Sequence, residues 1–140
     1  REDAFFAHLE GVISDSEVLY CERFEQRISM QGQEVYRFAV NKIPEVTQEL
    51  LDQNGVNKDD VDFFIFHQAN KRIIRSIASK LGVPIEKCFM DLEEYGNTSA
   101  ASVAIAMADM RDKGLLKPGM LAVSVGFGAG LTYGGMLFRA

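Results

Sequence analysis

The sequence predicts an α/β fold: a mixed, mostly parallel five-stranded sheet with helices on both faces. The run Asp62-Phe63-Phe64-Ile65-Phe66 is apolar at successive positions, as expected of a strand covered on both faces of a parallel sheet. Stretches with apolar residues at spacings of three and four lie on either side of it, and glycine and proline punctuate the joins. The order strand, helix, strand, helix, strand, strand defines α/β layering, with crossovers expected to be right-handed.

Each element has its own signal. Ala4 to Leu9 and Glu17 to Cys21 are short apolar runs separated by the turn-like GVISDS, and they read as two strands. Val35, Phe38, Ala39, Ile43, Val46 and Leu50 then line one face of a helix from about Gln33 to Asp52, ended by Asn54-Gly55. Pro44 is expected to kink it, because proline removes the bond to the carbonyl of Val40. After the Phe63 run, Ile73, Ile74, Ile77, Ala78 and Leu81 mark a second helix, closed by Gly82 and Pro84. A short strand is expected around Cys88-Phe89-Met90. Asn97 or Thr98 can cap a third helix, whose interior from Ala100 to Ala108 is small and apolar nearly all round, the pattern of a helix buried on several sides. Two strands follow, Met120 to Val125 and Leu131 to Phe138, joined by Gly126-Phe127-Gly128-Ala129-Gly130.

Composition narrows the function. The chain has 140 residues, 47% of them hydrophobic, enough for one domain with a substantial core. A net charge of -5 argues against a nucleic-acid surface, which needs a dense field of Lys and Arg. Cys21 and Cys88 lie far apart, and only His8 and His67 accompany them, so neither a disulfide framework nor a metal site is expected. No apolar run approaches the roughly 20 residues that span a bilayer, and no basic segment leads into an apolar one at the start. The expectation is a reducing, cytoplasmic compartment without membrane contact. The chain opens on Arg1 rather than methionine, which points to a fragment or a cleaved product.

Three loops follow strands: His67-Gln68-Ala69-Asn70, Gly96-Asn97-Thr98-Ser99 and the glycine-rich Gly126 to Gly130. In α/β sheets the ligand crevice lies outside the carboxyl ends of the strands, so loops far apart in sequence can converge there. His67 ends an apolar strand and opens a helix, a setting that favours the neutral ring and lets it donate to an oxygen gaining charge. A core histidine satisfied by backbone groups is the alternative. Asn97 can offer its amide to the same oxygen or simply cap a helix. The glycine run lacks the lysine of a phosphate-binding loop and joins two strands. It is either a tight turn or a place where backbone N–H groups approach a substrate oxygen.

The motifs HQANKRI, YGNTSAAS and GFGAGLTYGG, in this order and at these separations, resemble the C-terminal half of the β-ketoacyl-acyl-carrier-protein synthase III family of the thiolase superfamily. The resemblance runs from about Met30 to the C-terminus and is loose before it. It implies a thiolase-like half over residues 30–140, with residues 1–29 as a strand pair at the junction with an N-terminal half. By match to HQAN and GNTS, His67 and Asn97 take the places of the family's catalytic histidine and asparagine. That pair stabilises the enolate formed when malonyl-carrier protein loses carbon dioxide. Gly32 and Asn70 match positions lining the pantetheine tunnel. Ala129 falls where the family more often has glycine and where a backbone N–H joins the oxyanion hole. Arg72 matches the carrier-docking surface.

The resemblance further implies a transferase of fatty-acid initiation, homodimeric when complete, that uses acyl-CoA and acyl-carrier protein and holds no permanent cofactor. The family's nucleophilic cysteine sits on a strand-to-helix elbow of the N-terminal half. Neither Cys21, in a strand beside Glu22, nor Cys88, before Phe89-Met90, has that setting. The chain alone is therefore expected to be inactive. From Asn70 to Leu81 the second helix carries Lys71, Arg72, Arg75 and Lys80 without an acid, and Arg37 lies nearby. Arg37, Arg72 and Arg75 are candidates to steer an acidic carrier protein or contact coenzyme A phosphates. Two other readings stand beside this one: a non-catalytic partner subunit of the same fold, and a related polyketide or alkylquinolone condensing enzyme.

Overall fold

The computed structural model describes residues 5–13, 15, 17–21 and 28–140; Ala4, the expected start of the first strand, lies outside them. In chain order the elements are β1 (Phe5–Val12), β2 (Leu19–Cys21), β3 (Ile28–Met30), α1 (Gly32–Gln53), β4 (Phe63–Phe66), α2 (Lys71–Leu81), α3 (Leu92–Tyr95), α4 (Ser102–Asp112), β5 (Leu121–Gly128) and β6 (Thr132–Arg139).

Among the described residues the main sheet has four strands, in the order β1-β6-β5-β4. Of its strands β4 and β5 pair in parallel, and β6 is antiparallel to both its neighbours. The sheet is mixed, as expected, but neither five-stranded nor mostly parallel. The short glycine connection after Gly128 returns the chain at once, which can only make an antiparallel pair. The expected strand at Cys88 is a single parallel bridge to Phe64, because the chain turns away through Asp91 into α3. Of the two strands expected before Met30, β1 joins the edge of the main sheet, and β2 pairs with β3 in a separate ribbon.

Alternation along the strands sends side chains to both faces. Phe64, Phe66, Val123, Val125 and Leu137 pack under α1 and α2, against Ile43, Val46, Leu50, Ile74 and Ile77. Ile65, Ala122 and Phe138 face the other way, against Ala106 and Met110 of α4. Helices thus cover both faces. α1 runs as one helix through the buried Pro44. α2 buries the five residues its periodicity marks, donates its Ile73 N–H to the capping Asn70 Oδ1 at 2.8 Å, and ends on Gly82 with φ +65°.

α4 departs from expectation twice. It starts at Ser102, after a turn of 3-10 helix over Ser99–Ala101, and no side chain caps it. It buries one face, Ser102, Ala106, Asp109 and Met110, while Ala104 and Ala108 are exposed.

Candidate active site

The three loops converge. His67, Asn97, Gly126, Phe127, Gly128 and Ala129 line one cavity of about 710 Å³, completed by Tyr133, Val35 and the ribbon residues Leu19, Tyr20, Cys21, Ile28 and Met30. His67 leaves β4 in register with β5, its backbone N–H donating to Val125 O at 2.9 Å. The parallel β4–β5 pair therefore sets the histidine beside the end of the glycine strand.

His67 is half-buried, and burial lowers its pKa from the usual histidine value, so the neutral ring is favoured. Its Nδ1 lies 2.5 Å from Ser102 Oγ at the first residue of α4. The ring of Phe127 meets it edge-on, with centroids 5.0 Å apart. Gln68, fully buried, donates its side-chain amide to Phe66 O at 2.8 Å and to Phe89 O at 3.2 Å, while its Oε1 accepts from Asp91 N–H at 3.2 Å. That bracing fixes the backbone on which His67 sits.

Asn97 is exposed to the cavity. Its Oδ1 accepts from Ser99 N–H at 3.0 Å, with Ser99 held at φ 54°, a left-handed conformation that non-glycine residues adopt only at a cost. Since the oxygen is the atom taken, the Nδ2 donors are those left to face a ligand. Asn97 therefore braces its own loop rather than capping α4. Ala129, also exposed, lies in the turn after β5, where its carbonyl accepts from Thr132 Oγ1 at 3.0 Å. Two side-chain donors and a turn backbone around an apolar cavity are what binding a carbonyl oxygen that gains charge requires.

The other sequence candidates lie off this cavity. Gly32 opens α1 and Asn70 caps α2; neither is on the cavity wall. Arg72 lies over the Tyr36 ring, 5.0 Å from its centroid, and shares a shallow hollow with Arg75, Ser76, Ser79 and Lys80. Lys71 pairs instead with Glu93 of α3, and Arg37 makes a two-oxygen contact with Glu34 at 3.0 Å, lining a different hollow. The basic face is thus narrower than the sequence suggested: Arg72, Arg75 and Lys80, with Lys80 also bonded to Asn41.

Cys88 is buried, and burial pushes its thiol up to about 12, which leaves it inert. Cys21, at the end of β2, lines the cavity, a placement its strand setting did not announce. Ser102 was missed too; its one signal is a lone hydroxyl within the alanine run. The apolar ribbon wall was missed because the resemblance is loose before Met30. Among the described residues no three or more His, Cys, Asp or Glu side chains group as metal ligands, and no helix is long and apolar enough to cross a membrane.

Fold and site together define a thiolase-like α/β half. Residues 51–140 match the family model described as 3-oxoacyl-acyl-carrier-protein (ACP) synthase III, C terminal, and the chain belongs to that family. A β-ketoacyl-acyl-carrier-protein synthase III of Oleidesulfovibrio alaskensis is 47% identical over 112 residues, 80% of this chain and 34% of its own length. One from Acaryochloris marina is 45% identical over 131 residues, 94% of this chain and 38% of its own. The crystal structure of the synthase III of Aquifex aeolicus VF5 superposes with a TM-score of 0.94 at 38% identity, covering 100% of this chain and 46% of that one. The priming β-ketosynthase of the R1128 polyketide pathway gives 0.89 at 32%, covering 96% and 44%. The chain thus spans about a third of the curated relatives and about half of the solved chains it resembles.

Proposed function

We propose that this chain supplies the decarboxylation half of a β-ketoacyl-acyl-carrier-protein synthase III. The complete enzyme condenses an acyl-CoA primer with malonyl-carrier protein in fatty-acid initiation. The observation that carries the reading is the neutral His67 and the Nδ2 group of Asn97 on one apolar cavity beside the glycine turn. As the malonyl carbon–carbon bond breaks, its electron pair moves onto the thioester carbonyl. His67 and Asn97 donate hydrogen bonds to that oxygen, and carbon dioxide departs. The enolate carbon then attacks the acyl group carried on a cysteine outside this chain, with the backbone N–H of Ala129 in the oxyanion hole and the cysteine thiolate leaving.

Supporting this, the likeness to named synthases reaches 47% identity, and Cys88, its thiol pushed up to about 12 by burial, is no activated nucleophile. On this reading the chain alone is inactive, and the N-terminal half carries the nucleophile. Arg72 and Arg75 with Arg37 steer the acidic carrier protein, while Gly32, Asn70 and Arg72 border the path of the pantetheine arm. Acyl-CoA is substrate, with no permanent cofactor. The complete enzyme is a homodimer of the reducing cytoplasm, where a buried thiol such as Cys88 persists.

In the complete enzyme, His67→Ala should lower decarboxylation of malonyl-carrier protein by at least about 10²-fold, the usual cost of one oxyanion donor. Unchanged decarboxylation sinks the role. The likeness to the R1128 priming synthase favours one second reading, a polyketide starter step. Product masses from a panel of acyl-CoA primers and carrier proteins separate the two.

A further inference from the structure

Ser102 opens α4, three residues past the strained Ser99, and is 2% exposed. Among the described residues its Oγ meets two groups, His67 Nδ1 at 2.5 Å and the backbone N–H of Gln68 at 3.4 Å. These partners are not equivalent. The Gln68 amide can only donate, so it takes a lone pair of Oγ. The hydroxyl hydrogen is then left with the Nδ1 lone pair as its acceptor. Were Nδ1 protonated instead, Oγ would receive two donors while its own hydrogen stayed buried without an acceptor, at a cost of about 1–3 kcal/mol. The accounting closes for one tautomer only.

We propose that Ser102 is a positioning residue: it donates to Nδ1 and holds His67 as the neutral tautomer with its proton on Nε2, aimed into the cavity. The inference rests on the reading of His67 as a donor to the enolate oxygen, since only an Nε2–H ring presents a donor on the side away from Ser102. The groups on either side of the Ser102–His67 contact are themselves held by further contacts. Gln68, the source of the amide, is fastened to Phe66, Phe89 and Asp91. Phe127 stands edge-on to the imidazole and limits its rotation. Ser102 brings the ring to the N-terminus of an 11-residue helix, whose positive end disfavours a second proton.

The test is nitrogen-15 NMR of the complete enzyme labelled in histidine, with the His67 signals assigned by their loss in His67→Asn. At pH 7.5 the expected spectrum has a protonated Nε2 and an unprotonated Nδ1. A protonated Nδ1 in the unmodified enzyme overturns the proposal before any variant is made. Ser102→Ala should transfer population to the Nδ1–H tautomer and lower kcat for decarboxylation about 10- to 100-fold with KM little changed, the usual weight of a partner that orients a working histidine. Ser102→Thr, which keeps the hydroxyl, should retain the Nε2–H tautomer. A Ser102→Ala spectrum identical to the parent's also overturns the assignment. The spectrum reads the tautomer without turnover, so a His67→Ala enzyme that still decarboxylates would sink the catalytic reading and leave this measurement standing.

Discussion

Burial acts in opposite senses on the two groups it controls here: it keeps the proton off His67 and keeps the proton on Cys88. For His67 the folded pKa lies below the unfolded value of about 6.5. The unfolded chain therefore binds more protons between the two. The contribution of the neutral ring is fully present above pH 6.5 and is lost as pH falls through the folded value. Thermal melts of the complete enzyme and of its His67→Gln variant at pH 7.5 and pH 5 should show the parent losing more Tm than the variant; equal losses would refute the buried neutral ring. Cys88 should resist iodoacetamide at pH 8 in the folded protein and react only after denaturant is added, scored by peptide mass. At this scale the sequence was legible where a residue's type is unusual for its place. A histidine at the end of a four-residue apolar strand is such a case; a serine within an alanine helix is not, and Ser102 acquires meaning only through packing that brings it 35 positions back to His67.

Among the elements, α2 was the most readable, because five apolar residues on one face and a glycine stop are signals that tertiary contacts reinforce. Its end is also a local stability site. Gly82 adopts φ +65° and donates its N–H to Ala78 O and Ser79 O. Gly82→Ala should destabilise the protein by about 1 kcal/mol, from the left-handed strain of a Cβ, leaving kcat unchanged. A urea midpoint equal to the parent's would contradict it. The elements that misread did so for physical reasons. The Cys88 segment has strand composition but reaches its neighbour at only one bridge before Asp91 turns the chain. Asn97 has the composition of a cap for α4, but its Oδ1 accepts from the N–H of the left-handed Ser99, and the helix begins only at Ser102.

For the molecule as a whole, the unbroken apolar run of β4 announced that both faces are covered, but not how completely. On one face α1 and α2 bury a wide cluster that includes Phe64, Phe66 and Leu137. On the other, α4 covers Ile65, Ala122 and Phe138 and leaves Ala104 and Ala108 outward. A helix with a small apolar outer face is shaped for close approach by another layer, which explains why the sequence reads it as buried nearly all round. Ile28 at 71% and Met30 at 58% exposure on the ribbon, and Val12 at 67% at the end of β1, add large apolar groups to the open surface. Such surface is costly in water and is covered by association when nothing else packs on it. The 140 residues expressed by themselves should therefore sediment as dimers or larger species. Placing Lys at Ala104 and Ala108 should shift the distribution toward monomer without changing the far-ultraviolet spectrum. A clean monomer at tens of micromolar for the unmodified chain would show that the outer face of α4 and the ribbon do not drive association.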